Sequence, residues 1–476
     1  MPSEYRSFLA LSYDDLEELN LQAKADRLNR VPADQIREDR IKYLADEKHI
    51  KAVTVMFSDL EGRIHLLDYD KKFLINSYDN LTFDGSSIRG FTAQKESDLR
   101  LGIDWSAFYW VPADVFGTGK VLVFGMVIDK GGEPYAADMR GVLKNYSDTL
   151  YTDKGWTLNA ANEIEGFLFA GHDAEKSYHQ TLKFEFVNTG GYYHSLPLDP
   201  LRKFIDAAAE VQRAMGFGNE KDHPEVAPSQ FEINYSYGEV VAAADRIPLY
   251  KLLCRQVAAN MGYTACFLPK PVVGVNGSGM HTNMSISEGN KNLFWDEKGL
   301  EKLSSFGWEY IDRILTAGLD LCLIMNPSVN AYRRLDPHFE APNQLKASAT
   351  DRGSMVRVPI GNSKSMRVEV RSVAPDANPY LVLYSLFKTG IDGSTAKVDN
   401  LRQAERYLPD NIYDAIADFR SAEWVSTILG DDVKGRFADL KQASADRCAR
   451  QLGTFVKGAE VQYHHEVYNQ ALWNLF

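Results

Sequence analysis

The chain has 476 residues, 45% hydrophobic and 25% charged, which is ordinary globular usage and enough material for more than one domain. Its formal net charge is −12, from 53 basic and 65 acidic residues, and this acidic balance argues against a nucleic-acid partner, which calls for a basic excess. No apolar run is long enough to span a bilayer, and the N-terminal segment lacks a signal-peptide pattern, so a cytoplasmic protein without a membrane partner is expected.

Residues from Ser12 to about Leu28 read as an amphipathic helix, with Ser12 as N-cap and Asp15 in the capping-box position. A second helix starts after Pro32, with Ile36, Ile41 and Leu44 on one side. This arm is expected to be structural, in contact with another subunit. Strands begin at Lys51: KAVTVMFSD, the turn Leu60-Glu61-Gly62-Arg63, then IHLLDYD. GKVLVFGMVID closes a small sheet domain near Asp129, and the turn Gly131 to Pro134 is the boundary candidate. From Ala137 onward helices and strands alternate. Helices are predicted near Met139 to Tyr151, Pro200 to Met215, Pro248 to Met261 and Leu300 to Leu319, and from Leu408 to Phe476 the chain reads mostly helical. The strands between are LNAANEIEGFLF, QFEINYSYG, PVVGVNGSGMHTNMSIS and SMRVEVRSV. Cys254, Cys266, Cys322 and Cys448 form no CxxC pair and read as reduced core residues. Rossmann and P-loop fingerprints are absent, so phosphates must be handled another way.

The chemistry concentrates on the strands. Gly277 and Gly279 allow close backbone approach to a ligand, and His281, Asn283 and Ser285 share the face opposite Met280, Met284 and Ile286. The alternative is a wet sheet edge. Glu163 and Glu165 share a strand face, where they repel unless a cation sits between them. Two prolines in His223 to Glu232 rule out a helix, so Glu225 and Glu232 must converge by loop and strand geometry. Arg367, Glu369 and Arg371 alternate with Val368 and Val370, which also suits a charged outer face with internal salt bridges. Five glutamates with one histidine suit Mg²⁺ or Mn²⁺ better than zinc. Arg333, Arg334, Arg352, Arg357, Arg367 and Arg371 follow in one stretch, and metals with arginines point to phosphate chemistry.

The blocks FDGSSIRGF, NEIEGFLF, GGYYHSLPLD, HPEVAPSQFEI, FLPKPVVGVNGSGMHTNMS, NPSVNAYRRLDPHFEAP and RVEVRSVAPDANPYL resemble, in order, those of glutamine synthetase, the bacterial and archaeal type I class. The resemblance implies an α+β fold: an N-terminal helical arm (1–40), a β-grasp domain (41–132) and a catalytic domain with an antiparallel curved sheet (133–476). It implies ATP-dependent ligation of ammonia to the γ-carboxylate of glutamate through γ-glutamyl phosphate. It also implies a homo-oligomer, a dodecamer of two hexameric rings, in which each active site lies between neighbours.

The matching positions carry roles. Glu165, Glu225 and Glu232 match one metal site; Glu163, His281 and Glu369 match the second. Arg352 and Arg357 match phosphate-binding arginines, and Ser285 matches a nucleotide contact. Arg334 and Arg371 match the grip on the glutamate carboxylate, with Asn276 and Gly277 at its amino end. Asp84 and Ser87 match the ammonium pocket, with Tyr192 nearby, and Glu340 matches the acid of a closing flap. Three departures stand out: Asp351 and Gly353 around Arg352, where the family reads Asn-Arg-Ser-Ala; His338 for a flap glycine; and Asn283 for a common histidine. No adenylylation segment is found after Gly393, and Tyr413 reads as structural. The alternatives are a ligase that joins glutamate to a polyamine or methylamine, and a catalytically silent relative.

Overall fold

A computed structural model of the chain describes residues 8–92, 97–335, 341–395 and 406–455. Helix α1 (Tyr13–Leu28) opens on Ser12, whose hydroxyl accepts from the Asp15 amide while Asp15 accepts from the Ser12 amide. This is the reciprocal cap expected from the sequence. Helix α2 (Ala33–Asp46) follows Pro32 and buries Ile36, Tyr43 and Leu44. Next come β1 (Ala52–Ser58), β2 (Ile64–Asp70), α3 (Lys71–Ser77), β3 (Leu81–Asp84), β4 (Asp98–Trp110), α4 (Ala113–Phe116) and β5 (Lys120–Ile128). The five strands form one sheet, ordered β2-β1-β5-β4-β3, in which β1 and β5 run parallel and the other pairs antiparallel. Strand β1 is an unbroken run of buried residues from Val53 because it lies inside the sheet, whereas edge strand β2 alternates exposed and half-buried residues.

The larger half begins with α5 (Met139–Lys154), β6 (Trp156–Ala170), α6 (Ala174–Thr181) and α7 (Pro200–Ala214). Then follow β7 (Asn219–Pro224), β8 (Gln230–Tyr235), β9 (Gly238–Glu239), α8 (Val240–Asn260), β10 (Tyr263–Cys266), β11 (Met280–Glu288) and β12 (Lys291–Asn292). The chain continues through α9 (Ser305–Thr316), α10 (Gly318–Met325), α11 (Val329–Arg334), β13 (Gln344–Ser348), β14 (Ser354–Arg357) and β15 (Val368–Val370). Helices α12 (Pro379–Asp392), α13 (Ile412–Ser421) and α14 (Glu423–Phe455) end the described chain. The second sheet runs β13-β14-β15-β11-β6-β8-β7, with β9 and β10 on β6 and β12 on β11. Among the described residues only β13 and β14 pair in parallel there. The architecture is α+β, as expected. Strand β6 spans 15 residues, pairing with β11 along its first part and with β8 and β10 along the rest.

Some boundaries differ from the sequence reading. Helix α8 starts at Val240, not Pro248, because the Glu239 side chain caps it by accepting from the Val241 and Ala242 amides. Pro248 sits inside it, tolerated where Val240 to Leu249 is buried throughout. The helix expected from Leu300 to Leu319 is broken: Ser304 caps α9 and α10 begins again at Gly318. The strand expected from Ser365 shrinks to Val368–Val370. Cys254, Cys266 and Cys322 are free and buried; the side chain of Cys448, and the helical expectation for 456–476, lie outside the described residues. No helix of the described residues is long and apolar enough to cross a membrane.

Two contacts lock the halves together. Gly62 adopts φ +86° against Asn378, where a Cβ would come within 2.6 Å of the Asn378 Cα. Asn378 caps α12 and donates to the Leu60 carbonyl at 3.0 Å. Beside it, Lys441 of α14 donates to the buried Glu61 carboxylate at 2.7 Å.

The arm is seated within its own chain. Asn20 of α1 is 5% exposed. Its amide donates to the Leu16, Trp110 and Ala214 carbonyls, and its Oδ1 accepts from the Trp110 amide at 3.1 Å. One side chain thus ties the arm to β4 and to the end of α7 within the chain. Asn20→Ala leaves these groups unpaired and is expected to cost about 2–3 kcal/mol. The urea unfolding midpoint measures this, and an unchanged midpoint would contradict it.

Candidate active site

Three neighbouring strands build the first cluster. The register sets His281 of β11 opposite Glu163 of β6, and Glu369 of β15 opposite Asn283. The His281 Nδ1 lies 3.5 Å from Glu163 Oε2 and 3.8 Å from Glu369 Oε1. Asn283 donates to Glu163 Oε1 at 3.2 Å. Burial alone would raise the Glu163 pKa, but the bond and charge of His281 outweigh it and hold this carboxyl down at about 2. Glu369 is 1% exposed and accepts from Arg357 and Arg371, each at 3.0 Å. The R-x-E-x-R strand is therefore no solvated outer face.

The second cluster lies on β6, β8 and the segment joining β7 to β8. Glu232 pairs across from Glu165, and Glu225 follows the end of β7. His223 stands between the two later acids, with Nδ1 3.4 Å from Glu225 Oε1 and Nε2 3.4 Å from Glu232 Oε1. Burial, then the charges of Glu165 and Glu232, push the Glu225 carboxyl up to about 9. Glu165 is raised as well, by burial and then by Glu232. The buried Nε2 of His223 has no hydrogen-bond partner. Ser229, at φ +61°, makes the turn that brings the acids together, held by its hydroxyl accepting from the Val187 amide at 2.7 Å.

The glycine loop serves protein packing as much as ligand approach. A Cβ on Gly279 would lie 2.6 Å from Arg334 Nη2 and 2.9 Å from His281 Nε2, and one on Gly277 would lie 2.5 Å from the Pro269 carbonyl. The Gly279 amide donates to Glu165 at 2.8 Å, and Gln230 Nε2 to the Gly277 carbonyl at 3.0 Å. Asn276 is half-buried beside it. Arg334 is 6% exposed and, among the described residues, donates to the carbonyls of Arg371 and Val373. Burial lowers its pKa to about 10, and among the described residues no carboxylate lies within ion-pair distance of it.

Other expected residues spread around these clusters. Ser285 lines a cavity of about 580 Å³ with Glu163, Asn234, Tyr237, Lys364 and Arg367. Tyr192 stacks on Tyr193 at 3.8 Å, and both rings meet His223 edge-on. Arg352 is exposed in the β13–β14 turn. The neighbouring Asp351 carboxylate turns to Lys346 Nζ at 2.6 Å, so its charge has its own counter-ion. Asp84 accepts from the hydroxyls of Ser86 and Ser87 at 2.6 and 2.7 Å, bonds that lower its pKa, and it bonds to no cluster residue. Glu340 and His338 lie outside the described residues, as does most of the segment after Gly393. Sequence reasoning missed His223 and Gln230, although both stand in the proline-bounded block that supplies Glu225 and Glu232.

The donor chemistry fits divalent cations. Two groups, Glu163, His281 and Glu369, then His223, Glu225 and Glu232, each bring their ligand atoms within 4.8 Å of one another. Hard oxygens with one imidazole suit Mg²⁺ or Mn²⁺.

The sequence matches the family model for the glutamine synthetase β-grasp domain over residues 49–130 and that for the glutamine synthetase catalytic domain over residues 136–455. It is 35% identical over 424 residues to a glutamine synthetase of Methanosarcina mazei, covering 84% of this chain and 92% of that one. It is 34% identical over 434 residues to a glutamine synthetase of Clostridium saccharobutylicum, covering 86% and 95%. The fold matches a GmaS–ADP complex with a TM-score of 0.76 at 23% identity, covering 89% of this chain and 99% of that one. It matches a Plasmodium falciparum glutamine synthetase at 0.79 and 18% identity, covering 89% and 98%.

Glu225 gives a pH prediction. Its folded pKa of about 9 lies above the ordinary 4.5, so between these values the folded state holds the extra proton and stability falls as pH rises. In chelator, Tm should drop between pH 5 and 9, and Mg²⁺ or Mn²⁺ should flatten that drop. A chelator curve flat over this window would contradict the reading.

Proposed function

The chain belongs to the glutamine synthetase family and is an enzyme of the glutamate–ammonia ligase type, and from that premise we propose that it joins ammonia to the γ-carboxylate of glutamate through γ-glutamyl phosphate, at the expense of ATP. The observation that carries this reading is the arrangement of the acids and arginines on one sheet. Five of the six expected metal-ligand positions fall in two clusters, the sixth, Glu165, pairs across from Glu232 of the second, and Arg334, Arg357 and Arg371 stand nearby. A catalytically silent relative would have no use for so costly a set of repelling carboxylates.

The residues divide the work. Ser285 and the exposed Tyr237 ring line the cavity that takes the nucleotide, with Lys364 and Arg367 at its rim. Divalent cations, when bound by the two clusters, supply positive charge against phosphate oxygens. Arg357, tethered by Glu369, and Arg352 hold the transferring phosphate. Arg334, buried without a carboxylate of its own, and Arg371 hold the carboxylate of glutamate, with Asn276 and Gly277 at its amino end. Asp84, oriented by Ser86 and Ser87, attracts ammonium and accepts its proton, with Tyr192 near the acceptor. Glu340 closes the flap and excludes water from the acyl phosphate.

Among the described residues, the side chains of Asp84 and Ser87 hydrogen-bond only within their own loop. A loop donated by a second copy of the chain reconciles this with a role in the reaction, so the active form is a homo-oligomer, a dodecamer of two hexameric rings, in the cytoplasm.

An organic amine as acceptor is the second reading. The exposed Tyr192 and Tyr193 rings beside Glu225 favour it, since aromatic faces next to carboxylates suit alkylammonium groups. Phosphate release from ATP with Mg²⁺ and glutamate separates the readings. Ammonium-dependent release is expected, falling roughly 100-fold or more in Asp84→Ala. Turnover confined to a polyamine or methylamine would favour the second reading, and no turnover with any acceptor would refute both.

A further inference from the structure

A cavity of about 40 Å³ lies where α1, β4 and α8 meet, several times the roughly 10–15 Å³ that one water needs. Three cations line it: Lys24 and Arg27 from α1, and Arg246 from α8. Arg246 is 4% exposed, donates to the Ser236 carbonyl at 3.0 Å and sits over the Phe217 ring. Arg27 donates to the Ser106 carbonyl at 2.7 Å, and its Nε is buried with no hydrogen-bond partner. Burial, then the charge of Arg246, lowers the Lys24 pKa to about 8.

None of the three is ion-paired among the described residues. The carboxylates nearby are committed elsewhere. Glu239 caps α8 and accepts from the Ser147 hydroxyl at 3.0 Å. Asp104 and Asp245 both accept from Arg140. A buried arginine normally finds a carboxylate, because an uncompensated buried charge costs several kcal/mol. Glu239 lines the same cavity, and the charges of Asp104, Asp245 and Glu239 reach Arg27 and raise its pKa, but among the described residues none comes within ion-pair distance of the three cations that face it.

We infer that this cavity is an anion site, separate from the candidate active site, in which Lys24, Arg27 and Arg246 bind a small oxyanion of the size of phosphate. The anion supplies the direct ion pairs that the three cations lack and ties the N-terminal arm to the small sheet through Ser106 and to the large half through Arg246. An adjoining cavity of about 370 Å³ shares Arg27, Ser106 and Glu239, so the oxyanion is either free phosphate or the phosphoryl group of a larger ligand. Helix α1, which supplies Lys24 and Arg27, lies outside the residues matched by either family domain, whereas Ser106 and Arg246 lie within them.

The test is calorimetric titration of inorganic phosphate, and in parallel AMP, into the full chain at fixed chloride and Mg²⁺. Lys24→Met should weaken binding of one of them about 10-fold or more, the loss of one charge-assisted bond, while turnover is retained. Arg246→Gln should do the same. If that buried change prevents folding, the half-exposed Lys24→Met decides alone. Arg357→Met, in the candidate active site, should leave this binding in place. Binding of phosphate but not AMP identifies the free ion, and binding of AMP with loss in Lys24→Met identifies a phosphoryl ligand. Binding that survives Lys24→Met, that disappears in Arg357→Met, or that is absent for both ligands overturns the proposal. The readout is binding rather than turnover, so it stands or falls apart from the proposed reaction.

Discussion

Carboxylates set side by side on buried strands repel one another, and the larger half of this protein is arranged around that repulsion. Glu163 and Glu165 alternate along one face of β6, Glu232 comes across from β8, and Glu369 comes from β15 by way of β11. Hydrogen-bonded register fixes the backbone positions from which these side chains project. At the first cluster the protein answers with its own cations: His281 beside Glu163, and Arg357 and Arg371 on Glu369. At the second the answer falls short: His281 and Arg334 act on Glu165 and Lys221 on Glu225, yet both carboxyls stay raised. There Glu225 and Glu232 flank one imidazole, Glu165 pairs across from Glu232, and Glu225 is pushed to where it would hold a proton at neutral pH. The imbalance is the physical signature of a place for a divalent cation.

The same accounting of charge explains the arginines. Arg334 is buried, donates to backbone carbonyls and has no carboxylate at ion-pair distance among the described residues, and a side chain at Gly279 or Gly277 would crowd it. A buried cation with no carboxylate at ion-pair distance among the described residues, beside a sheet whose carboxylates lack a full counter-charge, calls for an anionic substrate and metal ions together. The cluster at Lys24, Arg27 and Arg246 repeats the first half of that pattern at a distance from the acids.

Much of this was legible in the sequence because strand periodicity is rigid. Alternation placed His281, Asn283 and Ser285 on one face, and Ser12 with Asp15 marked the start of α1. Pairing across strands was not legible, since it depends on register set by tertiary contacts, and so the meeting of Glu369 with His281 rested on resemblance. Helix α8 was mistaken at its start because Pro248 is a local signal, while burial along Val240 to Leu249 is a property of the whole fold. His223 escaped notice because an imidazole between two glutamates depends on the turn at Ser229, a non-glycine residue at positive φ that no propensity rule selects. The seat of the arm on Asn20 was equally hidden, since a buried asparagine inside a helix looks like any polar helix residue.

The central claim is that two acidic clusters are cation sites held by different residues. Counting Mn²⁺ bound per chain by electron paramagnetic resonance tests it most directly. The account predicts at least two ions per chain, one lost in Glu369→Gln and the other in Glu232→Gln, with each variant keeping the remaining ion. Fewer than two ions per chain in the unaltered protein, or occupancy unchanged in both variants, would contradict it.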